Sequence, residues 1–481
     1  MIRRAQPLYR CGLEEHWHRQ IGAVRPTSFA RRIGGCEDLI KRLVKFAELE
    51  GHTGCVNTVS FNPTGELLVS GSDDQDIIVW NWAGKKKVLS YDSGHENNVF
   101  QARVMPFSDD RVIVSCAADG QVRYGTLLGD GKVTTKSLAR HRGRAHKMAI
   151  EPGSPRVFYS CGEDGVVQHF DLREEKSTKL LTCHHFSTGS DKAGKPRVLR
   201  LNAIVMNPRN CNYIAVGGSD QYARVYDIRR VAGMDDQPVD CYAPKHLQGP
   251  GHEEHITCVA YSKQEEILVS YNDELIYLFD QSMSLGTSPQ SNAEDGVKRE
   301  DDGPHPESNK PQVYQGHRNL QTVKGVNFFG PNTEYIVSGS DCGRVFIWKK
   351  RGGKLVALFK GDKSVVNCLE PHPYATILAT SGIDDTIKVW APLSDTTLEL
   401  PEDAEKVMEN NKRRRENHAT SIPLTPELLR NLLLLRHLQA PTDGEGRRST
   451  RVSFEGWSPD AEDEETSDDG DTVNPRECTI S

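Results

Sequence analysis

Gly51-His52-Thr-Gly-Cys-Val56-Asn-Thr-Val59-Ser-Phe-Asn-Pro63, followed by Ser70-Gly71-Ser72-Asp-Asp74 and Ile77-Ile-Val-Trp80, decides how the rest of this 481-residue chain is read. His52 to Pro63 reads as one strand with its lead-in, Leu67 to Ser70 as a second and Ile77 to Trp80 as a third. Turn residues, among them Asp73 and Asp74, separate the last two. Short runs rich in β-branched residues and bounded by Gly, Pro, Asn and Asp are strand signals. The offsets then recur. His52, Val56, Val59 and Pro63 are matched by His95, Val99, Ala102 and Pro106, and by His141, Ala145, Met148 and Pro152. Arg197, Leu201, Ile204 and Pro208 repeat them without the histidine. His252, Ile256 and Val259 follow, with Lys263 for proline. Gly316-His317 opens a sixth copy, with extra residues before Val326. Asp362, Val366, Leu369 and Pro373 open a seventh.

The second half of each unit repeats as well. An acid stands six positions before an aromatic in Asp74/Trp80, Asp164/Phe170, Asp220/Tyr226, Asp273/Phe279 and Asp384/Trp390. Asp119 is followed by Gly125 instead. In the sixth unit Trp348 is present, but Cys342 holds the acid position and Asp341 lies one earlier. Seven copies with such landmarks at fixed internal offsets resemble the WD40 repeat over roughly Leu43 to Pro392. The resemblance implies an all-β fold, a seven-bladed WD40 propeller. Each blade is one four-stranded sheet that must stack on its neighbours to cover both faces. After Trp390 no strand is left for the last blade, whereas Val44 to Leu49 precede the first. That spare segment is expected to close the ring.

The resemblance also assigns the histidines and turn acids a structural role: one hydrogen-bonded network per blade. The residues concerned are His52, Asp74, His95, Asp119, His141, Asp164, Asp220, His252, Asp273, His317 and Asp384. Cys183-His184-His185 is a lone cluster without a paired CxxC, so no metal is expected. No GxxxxGK[ST], GxSxG or HExxH pattern occurs, so no catalytic residues and no cofactor are expected. The 12 cysteines are scattered and suggest reduced thiols rather than a secreted framework. A net charge of −7 disfavours general nucleic-acid binding, and no apolar run is long enough for a membrane helix.

Two units carry an additional ending: Phe170-Asp171-Leu-Arg173 and Tyr226-Asp227-Ile-Arg229. Paired aromatic-Asp-x-Arg boxes on adjacent blades resemble the signature of the cullin-4-associated factor family, whose members are substrate receptors of cullin-4 RING ubiquitin ligases. Glu50 to Thr58, Ser93 to Gln101, Ala215 to Gln221 and Pro401 to Glu405 resemble that family too. Its box aromatic is usually tryptophan, and Phe170 and Tyr226 depart from this. The resemblance implies a non-catalytic subunit. It would hold the ligase's adaptor, damaged-DNA-binding protein 1, through Asp171, Arg173, Asp227 and Arg229 and through an N-terminal segment containing Leu39, Ile40 and Leu43. Target proteins, which the sequence does not identify, would be presented for ubiquitination. Alternatively, Asp171–Arg173 and Asp227–Arg229 brace their own turns. A chromatin scaffold reading histones or peptides is the first alternative; an enzyme with a propeller active site is the second, disfavoured because no convergent nucleophile–base or metal set is found.

The expected organisation is an N-terminal basic or helical segment (1–42), the propeller (43–393), a helical extension (394–440) and an acidic disordered tail (441–481). Residues 1–36 carry seven arginines against two glutamates, and Glu37 to Leu43 is read as a short helical turn with Leu39, Ile40 and Leu43 on one side; the segment is either a disordered tail or a partner-docking helix. A mobile insertion is expected over 281–315, where Val297-Lys298-Arg299-Glu300 fits a modifier-attachment pattern. Lys412 to Arg415 is read as a nuclear import signal or a solvated helix face. The location expected is nucleus and cytoplasm.

Overall fold

A computed structural model describes residues 12–129, 131–174, 176–186, 197–231, 237–249, 252, 254–289 and 310–420. The chain forms two units, 1–415 with 478–481, and 416–477; the second lies almost wholly outside the described residues. So do Lys298, most of the expected insertion, the apolar segment Leu428 to Leu438 and the acidic tail.

Seven antiparallel four-stranded sheets make a propeller. Blade one consists of Val56–Phe61, Leu68–Ser72, Asp76–Asn81 and Lys86–Asp92. Blades two to six begin at Val99, Ala145, Leu201, Ile256 and Val326. Blade seven combines Val366–Pro371, Leu378–Gly382 and Thr386–Pro392 with Leu43–Glu50, which pairs antiparallel to Thr386–Pro392. The spare N-terminal strand therefore closes the ring. In blade one the inner three strands are nearly all buried, whereas no residue of the outer strand Lys86–Asp92 is buried. Apolar clusters span neighbouring blades, as stacking requires: Val59, Leu68 and Trp80 of blade one pack with Ala379 and Val389 of blade seven.

Antiparallel order divides the turns between two ends of the ring. The lead-in to each first strand and the turn from second to third strand lie at one end, here termed the network end. The turns from first to second and from third to fourth strand lie at the other, the box end. Six of the seven first strands carry a bulge one residue in, at Asn57, Phe100, His146, Asn202, Thr257 and Asn367. A bulge re-aims a side chain out of the ladder. Asn57, Phe100, His146, Asn202, Thr257 and Asn367 accordingly surround the channel mouth at the network end.

Helices Gly12–Gln20, Pro26–Gly34 and Glu37–Ile40 precede the ring. Pro26 opens the second helix, where its missing N–H costs nothing. Helix Ala404–Thr420 follows the ring.

Candidate functional site

In blade one His52 Nδ1 lies 2.8 Å from Asp74 and Nε2 lies 2.7 Å from the Ser70 hydroxyl. Trp80 Nε1 donates to the same hydroxyl at 2.8 Å. In the neutral ring these contacts are mutually consistent: Nδ1–H donates to Asp74, Ser70 O–H donates to Nε2, and Ser70 Oγ accepts from tryptophan. His95–Asp119–Ser115 and His141–Asp164–Ser160 repeat the geometry without the indole. Burial alone raises Asp119. Hydrogen bonds from His95 and from the backbone N–H groups of Glu96 and Gln121 outweigh it and bring the carboxyl down to about 2.

The other four blades solve the same problem differently. Asp220 pairs with the fully buried Arg224 at 2.6 Å. Asp384 pairs with Lys388 at 2.9 Å, and Lys388 also meets Asp362, which occupies the histidine position. In both blades the cation stands four residues after the acid. Two histidine assignments are corrected. His252 does not meet Asp273; its partner is Glu254 at 3.4 Å, near the surface. Asn319 replaces it, donating to Thr257 Oγ1 at 2.9 Å and to the Tyr271 carbonyl at 2.8 Å. Asp273 sits at φ +54° and its N–H donates to the Asn319 carbonyl. His317 forms no hydrogen bond to Asp341 and lies edge-on to Trp348, ring centroids 5.8 Å apart. Burial, with the charge of Arg415, pushes its pKa down to about 3. Asp341 instead takes Lys324, Arg318 and the Leu320 N–H. Sequence reasoning missed Ser70, Ser115 and Ser160, although the repeated Ser-Gly and Ser-Cys pairs signalled them. It also missed Arg224, Lys388, Asn319 and Lys324.

The two boxes fold alike at the box end. Arg173 Nε lies 2.9 Å and Nη2 2.5 Å from Asp171, and the Arg173 N–H bonds the same carboxylate at 2.9 Å. Arg229 repeats this on Asp227 at 3.0, 2.7 and 3.0 Å. The aspartate side chains are largely covered, 9 % and 3 % exposed, while the arginines are 63 % and 60 % exposed. The guanidinium beside Asp171 holds that carboxyl down to about 2, and Asp227 is lowered for the same reason. The aspartate thus fixes each fork, and the remaining N–H donors of a planar guanidinium face solvent.

The N-terminal segment meets the same end of the ring. Thr376, in the first turn of blade seven, donates to the Gly34 carbonyl at 2.9 Å, Tyr335 donates to Gly35 at 3.1 Å, and Lys349 pairs with Glu37 at 3.0 Å. Of the three residues expected to face the adaptor, Ile40 and Leu43 are buried among Phe329, Val345 and Trp390. They belong to the propeller's own core and offer no surface to a partner; Leu39 is half-buried. Trp17 and Ile21 are exposed instead, at 57 % and 56 %. At the box end the channel opens into a cavity of about 480 Å³ lined by Phe61, Pro106, Pro208, Tyr261, His372 and Tyr374.

The WD domain, G-beta repeat family model matches residues 43–81, 245–280, 308–349 and 353–391, each ending within the third strand of a blade or one residue past it. The chain is a WD40-repeat protein. This WD40 protein is similar to the Homo sapiens WD and tetratricopeptide repeats protein 1, 26 % identical over 82 % of this chain and 92 % of that protein. It is similar to the Homo sapiens DDB1- and CUL4-associated factor 6, 34 % identical over 54 % of this chain and 31 % of that protein. Protein ALTERED SEED GERMINATION 2 of Arabidopsis thaliana is 34 % identical over 50 % of this chain and 36 % of its own length. The last two similarities cover about a third of each relative, and the WD40 propeller is a protein-interaction scaffold. Among the described residues no group of three or more His, Cys, Asp or Glu side chains is placed to hold a metal, and no helix is long and apolar enough to cross a membrane. Nine described cysteines are free thiols.

Proposed function

We propose that this chain is a substrate-recruiting subunit of a cullin-4 RING ubiquitin ligase. It docks the ligase's adaptor, damaged-DNA-binding protein 1, at the box end and presents target proteins at the network end. The observation that carries this reading is the duplicated geometry of Arg173 and Arg229. Two adjacent blades present the same covered-aspartate, exposed-arginine fork at the end of the ring that also carries the N-terminal helices. Bracing and docking are not exclusive, because the aspartate removes the rotamer freedom that an arginine would otherwise lose on binding. The name of the cullin-associated relative supports the choice of partner. Trp17 and Ile21 take the place of Ile40 and Leu43 as the apolar part of the docking surface. The subunit acts by raising the concentration of target beside the ligase.

The test is recovery of the adaptor from cells by the tagged chain and by an Arg173→Ala, Arg229→Ala double variant with an unchanged melting midpoint. Adaptor bound by the original and lost by the variant supports the proposal. Absence of adaptor from the original sinks it.

A further inference from the structure

The network end is not uniformly acidic, despite the net charge of −7. Two neighbouring lead-ins, Arg140 to Arg144 before blade three and Arg197 to Arg200 before blade four, concentrate arginine there. Both loops pack against one turn of blade three. A Cβ on Gly162 would lie 3.0 Å from the Arg144 carbonyl, and one on Gly165 would lie 2.7 Å from the Leu199 carbonyl. The loops therefore flank a single turn of a few residues. Arg140, Arg142, Arg197 and Arg200 are all exposed, and none forms an ion pair among the described residues.

The two carboxylates of that turn are held by contacts within blade three and its lead-in, and neither forms an ion pair with these four arginines among the described residues. Asp164 accepts from the Arg142 backbone N–H at 3.0 Å and faces His141. Glu163 accepts from the Arg144 N–H at 3.1 Å and faces His146 at 3.3 Å. His146 in turn stacks on Phe100, ring centroids 5.3 Å apart, at the channel mouth. Four planar guanidinium groups without an ion pair among the described residues, on two neighbouring loops beside an aromatic-lined mouth, form a surface for bidentate capture of carboxylates.

We propose that this arginine surface binds an acidic polypeptide segment, and that the proteins recruited by this chain carry one. The second clause rests on the receptor role proposed above; the binding itself does not. An acidic peptide fits better than nucleic acid because the patch is confined to two loops. A nucleic-acid strand requires a longer basic track with exposed stacking rings.

The experiment titrates the purified full chain with a labelled glutamate-rich peptide at low and at physiological salt. A variant carrying Arg140→Gln, Arg142→Gln, Arg197→Gln and Arg200→Gln, and a second carrying lysine at the same four positions, are titrated beside it. Glutamine removes charge without placing new acids beside Glu163, and matched melting midpoints show that the ring is intact. The proposal expects saturable, salt-sensitive binding by the original. It expects a Kd at least about tenfold weaker for the glutamine variant, a change of roughly 1.4 kcal/mol, and intermediate affinity for lysine. If the glutamine variant melts early, the lysine variant, which keeps charge but loses the fork, carries the comparison. No saturable binding by the original, equal binding by all three chains, or preferential binding of an oligonucleotide of equal charge would overturn it. Adaptor recovery measured on the same variants separates the two proposals. It stays unchanged if only the acidic surface fails, and it is absent from every chain if the receptor role fails.

Discussion

Ser70→Ala removes one oxygen and leaves two buried groups without partners. The Ser70 hydroxyl is wholly buried, lies 2.7 Å from His52 Nε2 and accepts from Trp80 Nε1 at 2.8 Å. No other contact replaces it for either ring. A buried donor or acceptor left unmade costs about 1–3 kcal/mol, so two place the loss at roughly 2–6 kcal/mol. Loss of one small oxygen opens too little space for a bridging water to recover much of this. The measurement is equilibrium denaturation of the variant against Ser137→Ala, whose side chain lies exposed on the outer strand of blade two. The exposed control is expected within about 0.5 kcal/mol of the original. A Ser70→Ala chain that is equally stable would refute the claim that the His–Ser–Trp network holds blade one together.

Two further outcomes follow from the other blades. Arg224→Ala strands Asp220, buried and deprived of its bidentate partner, and is expected to cost about 3–5 kcal/mol; Arg224→Met with Asp220→Asn should recover part of the loss, and unfolding curves of the three chains decide it. Acid unfolding carries a sign. Asp74, Asp119 and Asp164 are all held below the ordinary carboxylate value in the folded state, so the stability they contribute is complete above that value, near pH 4. It drains as pH falls toward the folded value, about 2 for Asp119. Asp119→Asn should flatten that part of a stability-against-pH curve, and an unchanged slope would contradict the assignment.

The ring was legible because a propeller writes its architecture as a period. The offsets His52–Val56–Val59–Pro63 and Asp74–Trp80 each report a turn or strand at a fixed place, and the missing last strand pointed to Leu43–Glu50. The networks were only partly legible. Where a blade keeps histidine, a serine in the second strand completes the contact, and the pattern could be read across three copies. Where histidine is lost, the substitute comes from another strand or the next lead-in: Arg224 and Lys388 one turn of sequence after the acid, Asn319 from the entry to blade six. Pattern matching at fixed offsets does not look there. His252 and His317 mislead for the same reason, since a histidine in register reveals nothing of what has been placed opposite it. Ile40 and Leu43 were read as a docking stripe because apolar residues near a helix do not declare which side they face, and blades six and seven cover them. The bulges that turn Asn57, Phe100 and His146 into the channel mouth leave no mark in composition at all.

The two ends of this propeller are proposed to have different partners, with the adaptor at the box end. Hydrogen–deuterium exchange of the full chain with and without purified damaged-DNA-binding protein 1 distinguishes the ends. Slowed exchange is expected in helices Gly12–Gln20 and Pro26–Gly34 and in the turns following Asp171 and Asp227, with the Asp73–Asp74 and Glu163–Asp164 turns unchanged. Slowed exchange at Asp73–Asp74 and Glu163–Asp164, or no change anywhere at saturating adaptor, would contradict it.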